Sequence, residues 1–228
     1  MKKWIMKQTW KNLLFVHWPV EAEWLEEMLP DPLKADLFKG EAWIGLVPFE
    51  MHDIRFKGLP SVPMFSSLIE LNVRTYVTYK GRPGVYFFSL DASHPAGVWM
   101  ARTFFHLPYF RAKMSADPIH SGTHLVSKRT HKGEPSAQLD MTYKPGEHVI
   151  KPSPLEQWLT ERYCLYTVGK NQLLRGDLTH SPWSFSRGTC DIMMDSLTPP
   201  YNRKDWTDLH ILHSMEVKTE FYPFVKLL

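Results

Sequence analysis

The sequence predicts an α+β domain dominated by antiparallel strands, and three observations carry that prediction. Runs of β-branched and aromatic residues, most plainly Leu68–Tyr79, are punctuated by glycine and proline turns. Segments with helical spacing are few, the longest running from Pro95 to Leu107. The 228 residues also include 9 Trp, 9 Tyr and 13 Phe among 18 Pro, a load of rigid rings suited to a wide interior that contains a pocket. That length fits a single domain, residues 1–228, around one core, and no repeat or linker divides it.

In order, Asn12–Trp18 reads as a strand, and Pro19 opens a short helix through Glu21, Trp24, Leu25 and Met28 that Pro30 and Pro32 stop. Ala35–Phe38 and Ala42–Met51 form a hairpin about Lys39-Gly40-Glu41, and the proline-rich loop Gly58–Pro63 follows as a cover for a pocket mouth. Leu68–Tyr79 pairs with Val85–Leu90 through Lys80-Gly81-Arg82-Pro83-Gly84. Pro95–Leu107 is an amphipathic helix ended by Pro108, and Tyr109–Met114 is the next strand. His120–Thr130 and Ser136–Tyr143 pair about Lys132-Gly133-Glu134-Pro135. Ser153, with Pro154 behind it and Glu156 three residues on, caps a helix reaching about Arg162. Tyr163–Val168, Gln172–Thr179, Phe185–Met194 and Ile211–Phe224 complete the strands.

Composition narrows the function classes. Hydrophobic residues make up 43% and charged residues 22%, so a sizeable core is expected and disorder is not. The 27 basic and 24 acidic residues are scattered, with no stripe to track phosphates, so nucleic acid is not an expected partner. The one compact apolar stretch behind Lys2 and Lys3, Leu13–Val16, is too short for a signal or a membrane span. Two cysteines without metal or redox spacing suit the reducing cytoplasm.

The chemistry-bearing pattern lies on the strand after residue 67. Glu70, Asn72, Arg74 and Tyr76 point one way, and Leu71, Val73, Thr75 and Val77 the other. At about 3.3 Å per residue, Glu70 and Arg74 stand roughly 13 Å apart, too far to pair but spaced to hold two ends of a small polar molecule, with Asn72 between. A solvated face meeting cross-strand neighbours is the competing explanation. Arg102 and His106, four apart on a helix side shared with Trp99, are further candidates, although a plain surface face accounts for them too. Arg162 either reaches a pocket or complements its helix C-terminus, and Trp183 either packs the core or closes a pocket. His120 and His124 are separated by Ser121-Gly122-Thr123, which opposes a helix, and His210 and His213 face opposite sides of a strand; no metal site is expected. Cys164 and Cys190 have no adjacent base, and nucleotide and hydrolase motifs are missing.

Four segments together, Leu68–Val77, Gly84–Asp91, Leu159–Thr167 and His180-Ser181-Pro182-Trp183, resemble the YqjF-like family of uncharacterised bacterial proteins in order and spacing over nearly the whole chain. That family is similar, at a distance, to acetoacetate decarboxylase. The resemblance implies a mostly antiparallel, cone-shaped β-barrel with flanking helices and an enclosed small-molecule cavity. In the decarboxylase a strand, helix and strand lead into a Pro-Lys-Lys motif whose first lysine forms a Schiff base, its pKa lowered by the second. Here the same progression runs through Asp91 to Leu107-Pro108 and then reads Tyr109-Phe110, with no amine at the nucleophile's place. Lys113 falls about 13 Å further along the strand, beside Arg111. The resemblance puts Glu70 at the decarboxylase's pocket glutamate, although Ser67-Leu68-Ile69 departs from that family's tyrosine-bearing lead-in.

The expected function is therefore binding of a small anionic or carbonyl-bearing organic ligand in a polar pocket, without Schiff-base chemistry, metal or cofactor. Glu70, Asn72, Arg74 and Tyr76 form the row, with Arg102, His106 and Tyr109 as secondary candidates. The alternative is an enzyme of lyase or isomerase type acting on a keto or enol substrate, with Glu70 as base and Arg74 or Tyr109 stabilising developing negative charge. Self-association is left open, and a membrane partner is not expected.

Overall fold

The computed structural model describes residues 3–59, 67–120, 122–169, 172–198 and 209–228. Strand β1 (Met6–Val20) sets the plan of the molecule: Leu13 and Phe15 pack in one apolar cluster, Leu14 and Val16 in another on the opposite face. Helix α1 (Ala22–Met28) and the short β2 (Lys34–Ala35) follow, then β3 (Ala42–Phe56), β4 (Ser67–Tyr79) and β5 (Arg82–Ala92). Helix α2 (Pro95–Phe105) leads to β6 (Tyr109–Ile119), β7 (Gly122–Arg129) and β8 (Gln138–Ile150). After α3 (Pro154–Thr160) come β9 (Cys164–Gly169), β10 (Gln172–His180), β11 (Phe185–Asp195), β12 (His210–Phe221) and β13 (Val225–Lys226).

Among the described residues these thirteen strands form one sheet, antiparallel except where β5 meets β6 and β9. The sheet closes on itself twice. Pairing of β4 with β5 completes a ring of nine strands through β6, β7, β8, β11, β12, β1 and β3. Pairing of β10 with β12 completes a smaller ring of seven, β1, β3, β4, β5, β9, β10 and β12. Five strands, β1, β3, β4, β5 and β12, belong to both rings and act as a partition between two interiors. The nine-strand side is a dry core in which Leu14, Leu46, Leu71, Val73, Leu139 and Met141 pack together. Bulges let the shared strands turn these corners: Asn12, in a left-handed conformation (φ 52), sits where the β1–β3 register slips. Among the described residues no helix is long and apolar enough to cross a membrane.

Several boundaries differ from the sequence expectation, each for a physical reason. Pro19 remains in β1 opposite Trp43, beyond the last pairing with β12 at His17, so its missing N–H costs no ladder bond; α1 begins only after Glu21. Ala35–Phe38 does not form a hairpin arm: only Phe38 and Glu41 bridge, while β2 lies along β4 with Lys34 opposite Thr78. His120 falls in the turn between β6 and β7, a hairpin the sequence reading divided wrongly. In the expected loop Gly58–Pro63, residues 60–63 lie outside the described residues. The β4–β5 hairpin forms as expected but with a tighter turn: Lys80 (φ 49) and Gly81 (φ 76) supply the two positive φ angles of a two-residue turn, and Arg82, Pro83 and Gly84, expected in the loop, already pair in β5. The Ser153–Glu156 capping box likewise starts α3.

Candidate functional site

The seven-strand ring encloses a cavity of about 160 Å³, on the order of ten times the space one water needs. Its wall takes alternate residues from the shared strands: Leu13 and Phe15 of β1, Val47 and Phe49 of β3, Glu70, Asn72 and Arg74 of β4. Helix α2 closes one side with Gly97, Met100 and Ala101, and the end of α3 contributes Thr160 and Arg162. His180 and Trp183 also line it. Most of this wall is hydrocarbon and aromatic ring, so the pocket is an apolar chamber with a few polar groups rather than the polar pocket expected.

The inward turn of the β4 row follows from the partition. Leu71 and Val73 fill the dry core, so Glu70, Asn72 and Arg74 must face the other interior; Glu70 is 3% exposed and Asn72 5%. A bulge then changes the partner. Val73 lies opposite Ser89 but Arg74 opposite Phe87, which brings both Phe87 and Leu90 to the cavity although they are three apart.

Tyr109 Oη donates to Glu70 Oε2 at 2.6 Å. Burial raises the Glu70 pKa to about 7, against the opposing hydrogen bonds from Tyr109 and, less, Asn72. Burial and the Glu70 carboxyl together drive the Tyr109 phenol far up, so it remains a donor. Arg74 leans over the Phe15 ring at 5.4 Å and reaches Tyr76 Oη at 3.4 Å, and among the described residues no carboxylate pairs with it. Arg162, by contrast, is neutralised by Asp36, its Nη1 lying 2.5 Å from Oδ2. Both guanidinium groups stand over the Tyr76 ring, Arg74 at 5.7 Å and Arg162 at 5.0 Å, which gathers them at one pole of the chamber. His180 is held between Tyr163 and Trp183, and its Nδ1 donates to the Ser181 carbonyl at 2.9 Å. Four buried atoms of this lining, Asn72 Oδ1, Arg74 Nε, Arg162 Nη2 and His180 Nε2, have no hydrogen-bond partner among the described residues.

Glu70, Asn72, Arg74 and Tyr109 are thus brought together, whereas three other candidates are not. Tyr76 is fully buried behind the wall, its hydroxyl 2.7 Å from His17 Nε2. Arg102 turns outward, donating to the Tyr109 carbonyl at 2.8 Å and facing Glu134 at 3.6 Å. His106 leaves α2 in a left-handed cap (φ 52), so the four-residue spacing that linked it to Arg102 no longer applies, and its backbone carbonyl accepts from Thr167. His124 is engaged by Asp140 at 2.8 Å, and His131 accepts from the Arg111 N–H at 3.0 Å. Arg162 and Trp183, for each of which a pocket role was one of two alternatives, do line the chamber, and His180, which was not a candidate, joins them from the end of β10.

The mostly antiparallel closed sheet with three helices is an acetoacetate decarboxylase-like fold. The chain belongs to DUF2071, a family of uncharacterised conserved proteins, which it matches over residues 7–214. It is 44% identical over 197 residues to the uncharacterised protein YqjF of Bacillus subtilis (strain 168), covering 86% of this chain and 81% of that one. The acetoacetate decarboxylase of Legionella pneumophila superposes with a TM-score of 0.65 at 16% identity, covering 97% of this chain and 87% of that one. The enduracididine biosynthesis enzyme MppR complexed with pyruvate superposes at 0.64 and 11% identity, covering 100% and 92%. At such identities the likeness is one of fold.

Proposed function

We propose that the chamber binds a small organic molecule with an anionic or carbonyl group, held by Arg74 at one pole and by the Glu70–Tyr109 pair at the other, with Asn72 between. The observation that carries this is Arg74. A guanidinium that enters a largely apolar cavity without a carboxylate is costly to keep unless a ligand completes it. Two structural neighbours support the class by name, one a decarboxylase of acetoacetate and one complexed with pyruvate. Schiff-base decarboxylation is not proposed: among the described residues no lysine lines the chamber, and Lys113 lies exposed opposite Lys128. Thermal shift with a panel of small carboxylates and carbonyl compounds tests the reading, since a ligand of the folded state raises stability by mass action. At least one compound stabilises the wild type and not Arg74→Gln; a panel without such a compound refutes the reading.

A second reading is favoured by Glu70, whose pKa near 7 suits a general base. Its carboxylate would take a proton from the carbon beside a carbonyl, and the Tyr109 hydroxyl next to it would stabilise the enolate oxygen. Exchange of that proton for deuterium in heavy water, followed by NMR, separates the readings. Exchange that Glu70→Gln abolishes establishes an enzyme, and binding without exchange establishes a binding protein.

A further inference from the structure

We infer that the ligand of this chamber is a monocarboxylate carried on an aromatic or branched apolar body of about benzene size, rather than a short polar keto acid. The inference rests on the proposed reading of the chamber as a ligand site and adds three observations to it. The volume is the first. About 160 Å³ matches the scale at which an engineered apolar cavity of about 150 Å³ admits benzene, so it is several times too large for acetate and too small for a lipid chain. The wall is the second: Phe15, Phe49, Phe87, Leu90 and Trp183 present rings and branched carbon that only an apolar body can cover. The third is charge. Arg162 is matched by Asp36, which among the described residues leaves Arg74 as the one guanidinium of the lining without a counter-ion, and burial keeps Glu70 largely protonated below neutrality. One net positive charge calls for one carboxylate and disfavours a dianion.

The two guanidinium groups at the Tyr76 ring orient that carboxylate toward the end of α3, where Arg74 Nη2 also approaches the Leu159 carbonyl at 3.5 Å. The apolar body then lies along β4 and β5, beside Phe87 and Leu90 and against Ala101 of α2. Quenching of the Trp10 and Trp183 fluorescence, both rings being in the lining, reads binding of phenylacetate, acetate, pyruvate and the neutral isostere phenylacetamide. Phenylacetate is expected to bind the wild type at least tenfold more tightly than acetate or pyruvate. Arg74→Gln weakens phenylacetate at least tenfold and phenylacetamide less than threefold. Ala101→Leu, which adds carbon to the apolar wall on a helix, weakens phenylacetate at least fivefold and leaves acetate unchanged. Acetate or pyruvate binding as tightly as phenylacetate, still dependent on Arg74, overturns the ligand class but leaves the site standing. Phenylacetate binding indifferent to both substitutions, or absent from the wild type, overturns the inference outright.

Discussion

Tyr109 Oη and Glu70 Oε2 stand 2.6 Å apart across the chamber wall, one at the start of β6 and the other in β4, so a phenol donates to a carboxyl that burial holds near neutrality. This contact stands where the sequence resemblance led one to look for a lysine. Because Tyr109 favours the ionised form, Tyr109→Phe should raise the Glu70 pKa above about 7. A hydrogen bond to a charged group is worth about 1.5–3 kcal/mol, which corresponds to roughly one to two pKa units. Infrared titration of the carboxyl band, with Glu70→Gln to assign it, measures the shift. An unchanged or lower value would show that the phenol contributes nothing to Glu70.

The same carboxyl makes stability depend on pH. With a pKa raised from 4.5 to about 7, folded Glu70 keeps its proton while the unfolded chain has already lost its own. Stability therefore falls as pH rises from about 4.5 through 7, by about 3 kcal/mol in all. His213, held at about 4 by burial, acts in the opposite sense, losing stability as pH falls from 6.5 toward 4. The two slopes overlap and partly cancel in the wild type. Glu70→Gln removes one of them, so the variant should match the wild type near pH 4.5 and exceed it by up to about 3 kcal/mol at pH 8. Urea unfolding at both pH values checks this, and a difference that does not grow with pH counts against it.

How much of this was legible in the sequence depends on the range of the forces involved. The alternation of Glu70, Asn72 and Arg74 with Leu71 and Val73 follows from the strand's period of two. Its direction does not, because a solvated strand and a partition between two interiors share one pattern; only the closure of both rings makes Leu71 and Val73 core and turns the polar row inward. The β4–β5 hairpin and the α3 cap were readable because turn and cap chemistry is local. Arg102 and His106 were misread for a local reason as well, since one left-handed residue ends the helix before the spacing completes. Arg162 and His180 reach the chamber through the β9–β10 and β10–β12 pairings, which no neighbouring residue encodes.

Beyond the chamber, Arg129 and Asp91 fasten β7 to β5 across the intervening β6. Arg129 Nε lies 3.1 Å from both carboxylate oxygens of Asp91 and Nη2 lies 2.6 Å from Oδ1, while the guanidinium covers the Phe110 ring at 4.0 Å. The Asp91 side chain is fully buried, and that burial already raises its pKa against the opposing pull of Arg129. Arg129→Met keeps the packing on Phe110 but leaves a buried carboxylate without its cation, and the expected cost at pH 8 is about 3–5 kcal/mol. Losing Arg129 pushes the Asp91 pKa higher still, so protonation relieves the variant: its deficit should shrink between pH 8 and pH 5. The double variant Asp91→Leu with Arg129→Met removes both charges and should recover most of the lost stability. Denaturant unfolding of the three proteins at the two pH values decides the matter. A single variant that loses less than about 1 kcal/mol, or a double variant no better than the single, would show that the pair does not hold the strands together.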